Sequence, residues 1–135
     1  MRRIPVWVRR TTVLALHDLL IREHGGRPGC RDLALLDSIL DQPQRTWEEN
    51  RRTCVWETAA VYAQGVCRKR PFHDGNKRTG FLLAGLFLER NGHKLTVEEA
   101  DAVVLTLALA SGRLTIAKYA AWLRGNRRSP SAPRS

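Results

Sequence analysis

The chain of 135 residues carries 23 Lys and Arg against 13 Asp and Glu, a formal net charge of +10 at pH 7. This length fits one domain, and 43% hydrophobic against 27% charged residues permits a folded core and argues against disorder of the whole chain. No apolar run approaches the roughly 18 residues of a membrane span, and the N-terminal arginines interrupt any signal-like apolar segment, so neither a membrane protein nor a secreted one is expected.

The positive charge is concentrated in three places. Residues 1–10 and residues 124–135 each hold four arginines and no acid, and residues 68–78 hold five Lys or Arg and one acid, Asp74. Such a pattern describes two basic ends and one compact basic site, so nucleic acid is not expected as the direct substrate. A salt-dependent nucleic-acid binder that uses the two ends stays open as an alternative.

The cysteines carry little functional signal. Cys30, Cys54 and Cys67 are three in number and have no Cys-x-x-Cys spacing, which argues against a disulfide framework or a Cys-rich zinc site. Buried structural thiols in a reducing cytoplasm are the simplest interpretation.

The apolar spacing predicts six helices. In chain order they cover about 11–24, 33–42, 52–68, 76–90, 97–110 and 115–123. Thr11 or Thr12, Asp32 and Thr96 are the expected N-caps, and Glu99 would complete a capping box with Thr96.

Proline residues set two of the predicted helix ends. Pro43 is expected to end the second helix, and Pro71 prevents the third from continuing, so residues 69–75 should form a loop. The helix after this loop is apolar on every face between Phe81 and Leu88, which is typical of a central, buried helix.

Outside these helices the sequence shows little regular structure. Residues 4–8 are the one strand candidate. Residues 125–135 are polar and basic and are predicted to form a disordered tail, which leaves residues 1–124 as a single domain. The predicted fold class is therefore all-α, a compact bundle of about six helices whose buried central helix follows the 69–75 loop.

The predicted loop and the start of the fourth helix contain a candidate phosphate site, with the sequence Arg-Pro-Phe-His-Asp-Gly-Asn-Lys-Arg from Arg70 to Arg78. Free N–H groups and the helix dipole favour an anion at a helix N-terminus, and Gly75 lets the backbone approach a ligand closely. Lys77 and Arg78 add two cations, and the Arg78 guanidinium can hold two oxygens at once.

Three more residues of this segment have candidate roles. Asp74, a carboxylate beside a phosphate site, is a candidate ligand of Mg²⁺. Asn76 could either bind a phosphate oxygen or hold the loop, and Phe72 is expected to fill the core and anchor the loop. A Walker A loop does not fit, because Asn76 precedes Lys77 and Arg78 follows it.

The segment resembles the Fic/Doc family signature, His-x-Phe-x-(Asp/Glu)-(Gly/Ala)-Asn-(Gly/Lys)-Arg, at Phe72, Asp74, Gly75, Asn76, Lys77 and Arg78. Residues 16–36 and 86–92 also look like the Doc (death-on-curing) toxin branch. The resemblance implies an all-α protein that acts on ATP with Mg²⁺. Most family members transfer AMP to a protein hydroxyl, whereas the Doc branch consists of bacterial toxins that phosphorylate elongation factor Tu and stop translation.

Two positions favour the Doc branch within this resemblance. AMP-transferring members usually have Gly where this chain has Lys77, and a second Arg where it has Phe81. The resemblance therefore implies phosphoryl transfer to a Ser or Thr hydroxyl, with AMP transfer as the alternative. It also implies two protein partners in the cytoplasm: elongation factor Tu as target, and a Phd-like antitoxin with an acidic, amphipathic segment.

One position departs from the signature. The family's His, which accepts the proton of the attacking hydroxyl, corresponds to Arg70, and arginine stays protonated at physiological pH. Loss of a general base typically costs about 10²–10⁴-fold in rate, so we expect this chain to be inactive or impaired. His73 is not expected to replace the base. Arg70 is either native, which would favour a catalytically dead member that binds a nucleotide or a partner, or an introduced inactivating change.

Overall fold

Six α-helices joined by short loops make up the fold in the computed structural model, which describes residues 2–128. They are α1 (Arg10–His24), α2 (Leu33–Glu49), α3 (Val55–Lys69), α4 (Asn76–Arg90), α5 (Glu99–Ala110) and α6 (Ile116–Gly125). Within residues 2–128 the β-structure is limited to two isolated bridges, so the predicted all-α class is confirmed.

The predicted helix starts are confirmed in part. The Asp32 carboxylate accepts a hydrogen bond from the Leu35 N–H at 3.0 Å and caps α2 as expected. The predicted capping box of α5 is wrong, because this helix begins at Glu99 and the Thr96 N–H donates to the Asn126 carbonyl instead. That contact holds the 94–96 segment against the end of α6.

The predicted end of the second helix at Pro43 is wrong. α2 continues to Glu49, with Pro43 inside it. Leu36, Ile39, Pro43 and Trp47 follow one another at helical spacing and are all buried. A proline inside a helix loses one hydrogen bond, and burial of the continuous apolar stripe offsets this loss.

Helices α3 and α4 form the centre of the bundle. They pack against each other, and α3 also packs against α2, α5 and α6. From Thr79 to Leu88, α4 has no exposed residue, which confirms that the helix after the loop is central. The C-terminus of α3 and the N-terminus of α4 therefore meet at one end of the core, with the 70–75 loop between them.

The close approach of α3 and α4 makes Gly80 sensitive to substitution. A Cβ at Gly80 would lie 2.9 Å from the Ala63 carbonyl oxygen, whereas a Cβ at Gly85, on the same helix, would meet nothing within 4 Å. We expect Gly80→Ala to lower the free energy of unfolding by about 1–3 kcal/mol, because two backbones must move apart.

Gly85→Ala is the matched control, and should raise the free energy of unfolding by about 0.5–1 kcal/mol through the better helix propensity of alanine. Denaturant unfolding of both variants measures these changes. Equal stability of the two variants would contradict the close packing at Gly80.

The N-terminal segment is extended and docked, without forming the candidate strand. The Val8 N–H donates to the Tyr62 hydroxyl at 3.2 Å. The Arg2 guanidinium lies 4.0 Å from the centre of the Trp47 ring and donates to the Trp47 carbonyl. α1 begins at Arg10, so the predicted threonine caps of α1 are wrong and both threonines lie inside its first turn.

The C-terminal boundary lies later than predicted. Gly125 belongs to α6, Arg127 forms a bridge with Leu95, and the Arg128 N–H donates to the Lys94 carbonyl at 2.7 Å. Residues 125–128 are thus part of the fold, whereas the rest of the predicted tail, 129–135, lies outside the described residues.

The cysteines are all free thiols. The expected burial is confirmed for Cys67 and is wrong for Cys30 and Cys54, which are only partly buried. Burial raises the pKa of the Cys67 thiol to about 11, so its thiolate is scarce at neutral pH and its role is in packing. Among residues 2–128, no helix is both long and apolar enough to cross a membrane.

Candidate active site at the start of α4

The loop before α4 begins with a residue in an uncommon conformation. α3 ends at Lys69, and Arg70 caps it with φ 55° and ψ 64°, the left-handed region. Arg70 is the only non-glycine residue with positive φ among residues 2–128. Its side chain is exposed, and its carbonyl accepts a hydrogen bond from Arg31 Nε at 3.0 Å. A residue other than glycine keeps a left-handed conformation only where the surrounding contacts hold it. Such residues are often found at functional sites.

A second segment, residues 29–32, holds this loop from outside. The N–H groups of Arg31 and Asp32 both donate to the Pro71 carbonyl, at 2.7 and 3.2 Å. The His73 N–H donates to the Gly29 carbonyl at 3.3 Å, and the His73 ring lies beside Gly29. This segment between α1 and α2 is therefore one wall of the site.

Asn76 holds the loop from inside. Its Oδ1 accepts from the Phe72 N–H and its Nδ2 donates to the Phe72 carbonyl, both at 3.0 Å. The Asn76 side chain is buried and committed to these two contacts. Of its two predicted roles, holding the loop fits the structure, and any contact of this residue with a phosphate would use its backbone N–H.

Phe72 and His17 form the floor of the loop. Phe72 is buried, and its ring is stacked on that of His17, with 3.8 Å between ring centres and 8° between planes. His17 Nε2 lies 2.8 Å from the Asp74 carbonyl oxygen. Sequence reasoning gave His17 no role. The available signal was a histidine between Val13 and Leu20 on the buried stripe of α1.

Asp74 is the one carboxylate of the loop before α4. The side chain is exposed, and its Oδ2 accepts a hydrogen bond from the Arg27 N–H at 2.6 Å. Among residues 2–128, no group of three or more His, Cys, Asp or Glu could hold a metal ion. One carboxylate completed by phosphate oxygens and water suits Mg²⁺, so the donor set fits this ion once a nucleotide is bound.

The first turn of α4 presents four free backbone donors. Gly75, the N-cap, has φ 75°, and the N–H groups of Gly75, Asn76, Lys77 and Arg78 have no hydrogen-bond partner in the described part of the chain. The side chains of Lys77 and Arg78 are exposed, and neither forms an ion pair with residues 2–128. This arrangement favours an anion.

A cavity of about 530 Å³ lies beside these donors, between α1, α4 and α5. Lys77 and Arg78 line it together with Phe81, Leu20 and Leu107. Its size is that of a small-molecule pocket, and its mainly apolar lining also includes two acids, Glu23 and Glu99.

The family model for the Fic/DOC family matches residues 7–88, which include α1 to α3, the whole loop and α4 up to Leu88. The chain belongs to the Fic/DOC family. Two curated Fic/DOC relatives are similar to it. Protein kinase doc of Escherichia phage P1 is 33% identical over 112 residues, 83% of this chain and 88% of the relative. Toxin Doc of Mycolicibacterium smegmatis is 36% identical over 75 residues, 55% of this chain and 58% of the relative.

In this Fic/DOC chain, the predicted site residues lie on one continuous stretch from the end of α3 to the first turn of α4. Asp74, Gly75, Lys77 and Arg78 are exposed on that stretch, and Phe72 and Asn76 are buried beneath it. Arg70 stands at its start, where the resemblance places the histidine of the signature.

Proposed function

We propose that this Fic/DOC protein is a Doc-like toxin that transfers the γ-phosphoryl group of ATP to a Ser or Thr hydroxyl of a translation factor in the cytoplasm, elongation factor Tu by resemblance. The observation that carries the proposal is the row of four free N–H groups at the start of α4, flanked by Lys77 and Arg78. The names of the relatives, a protein kinase and a toxin, support the activity and its biological role.

The residues at the start of α4 act by positioning and by neutralising charge. The N–H groups of residues 75–78 and the side chains of Lys77 and Arg78 would bind phosphate oxygens, and the cavity would receive the rest of the nucleotide. Asp74 would hold Mg²⁺, which neutralises charge on the phosphates when bound. These are the main requirements of phosphoryl transfer.

Proton removal is the step that this chain lacks. As the hydroxyl oxygen bonds to the γ-phosphorus and the bond to the β–γ bridging oxygen breaks, the hydroxyl proton must go to a base. Arg70 stands at the family's base position and cannot accept it. We therefore propose that this chain binds its nucleotide but transfers phosphate slowly.

An antitoxin partner is part of the same proposal. Val103 and Leu107 on α5 are exposed apolar residues that line the cavity, next to Lys77 and Arg78. An amphipathic segment with acidic residues complements this combination, because its apolar face would cover α5 and its acids would meet the two cations. Such a segment would occupy the space proposed for the nucleotide and would silence the site.

Labelled ATP separates phosphoryl transfer from AMP transfer. The Arg70→His protein is incubated with elongation factor Tu and Mg²⁺, in one reaction with γ-labelled ATP and in another with α-labelled ATP. We expect label on a Thr or Ser of the factor from γ-labelled ATP only. Label from α-labelled ATP would instead assign the protein to the AMP-transferring members of the family.

A further inference from the structure

The peptide group between Asp74 and Gly75 is held from inside the molecule. His17 Nε2 lies 2.8 Å from the Asp74 carbonyl oxygen, and His17 is 2% exposed. A carbonyl oxygen only accepts hydrogen bonds, so Nε2 carries the proton and donates it. Both the neutral Nε2–H tautomer and the imidazolium have this donor.

The direction of this carbonyl decides where the next N–H points. Residues 2–128 contain no cis peptide bond, and a trans peptide is planar, with its C=O and N–H on opposite sides. With the Asp74 carbonyl directed at the buried His17 ring, the Gly75 N–H is directed away from that ring, on the exposed side of the loop. The N–H groups of residues 76–78, which follow it in the first turn of α4, also have no partner among the described residues.

The backbone alone does not fix this direction. A peptide flip changes ψ of Asp74 and φ of Gly75, and glycine adopts positive and negative φ about equally well. The Asp74 side chain is tied to the Arg27 N–H, but that bond leaves the following peptide free to rotate. A flipped peptide would present the Asp74 carbonyl oxygen, a partial negative charge, to the phosphate site.

His17 is itself fixed in place. Its ring is stacked on Phe72 with 3.8 Å between ring centres, and the Phe72 backbone is in turn tied to the Asn76 side chain by two hydrogen bonds. The Gly75 backbone lies against the same ring, since a Cβ there would be 3.7 Å from His17 Nε2. α1 thus supplies a rigid donor beneath the loop.

We infer that His17 is a positioning residue, which locks the Asp74–Gly75 peptide so that the Gly75 N–H faces a nucleotide phosphate. This inference rests on the proposed function. It assigns to α1 a part in ligand binding, although His17 contacts the loop and not the ligand.

Two substitutions separate the hydrogen bond from the packing of the ring. His17→Phe keeps an aromatic ring against Phe72 and removes the donor, whereas His17→Gln keeps an N–H donor and loses the ring. Titration of the full chain with ATP and Mg²⁺ by calorimetry should give about tenfold weaker binding for His17→Phe and affinity within about threefold of the unchanged chain for His17→Gln. A purely structural histidine would give the opposite order.

Nuclear magnetic resonance gives a readout that needs no substitution. Without nucleotide, the imidazole ¹⁵N spectrum of His17 should show a protonated Nε2, and a neutral ring protonated at Nδ1 would overturn the inference. On addition of ATP and Mg²⁺, the Gly75 amide signal should shift in the unchanged chain and much less in His17→Phe.

The possible outcomes test the positioning role of His17 separately from the proposed function on which it rests. Equal ATP affinity of His17→Phe and the unchanged chain would overturn the positioning role and leave the proposed function standing. Absence of ATP binding by the unchanged chain would overturn the proposed function, and the positioning role with it.

Discussion

Replacing Arg70 by histidine is expected to raise ATP-dependent labelling of the acceptor protein by about 10²–10⁴-fold, the usual contribution of a general base. The change supplies a side chain that can accept the hydroxyl proton at neutral pH, which arginine cannot do. The backbone at this position suits the change, since Arg70 has φ 55° and histidine is among the residues enriched in the left-handed region. Initial rates with γ-labelled ATP measure the gain.

Arg70→Gln is the control for this substitution. Glutamine also removes the positive charge but has no basic group, so its rate should stay close to that of the unchanged chain. If histidine and glutamine raised the rate equally, the charge of Arg70 would be the obstacle and not the missing base. No labelling by the Arg70→His protein from either form of ATP would favour the catalytically dead, binding-only member of the family.

Replacing Arg78 by glutamine in the Arg70→His protein is expected to lower the transfer rate by about 10²–10³-fold, the typical loss on removing one donor to transition-state charge. Arg78 is exposed in the first turn of α4, has no ion-pair partner among the described residues, and can hold two phosphate oxygens. Single-turnover rates at saturating ATP separate this loss from weaker ATP binding.

Arg90→Gln in the same background is the matched control, because Arg90 is exposed at the opposite end of α4. Its rate should be unchanged, and both variants should unfold at the same denaturant concentration. A similar loss in both variants would indicate a general effect of net charge, and no loss in Arg78→Gln would remove this side chain from the site.

Local sequence patterns predict the helices well where a single signal dominates. Pro71 ends α3 and Asp32 caps α2 as expected, because each acts on its immediate neighbours. The prediction fails at Pro43, where burial of a stripe that runs on to Trp47 outweighs one lost hydrogen bond. The helical spacing from Leu36 to Trp47 is visible in the sequence, but only the packing of α2 against α3 shows that burial outweighs the proline.

The candidate site likewise contains residues that a local pattern predicts and a contact that it does not predict. The cluster of Asp74, Gly75, Lys77 and Arg78 is contiguous in the chain, so a motif is enough to find it. The contact between His17 and the Asp74 carbonyl joins residues 57 positions apart. The sequence pattern predicts that His17 lies on the buried face of α1. It does not predict which group the His17 ring contacts.

The exposed side chain of Arg70 has a consequence for the genetics of this protein. A histidine codon becomes an arginine codon by a single nucleotide change, and a substitution at an exposed helix end costs little stability. Cells harmed by the active protein could therefore escape through one mutation that leaves a folded chain. Such a chain would keep the surfaces proposed for its partners, and an antitoxin bound to it would be withdrawn from any active copy.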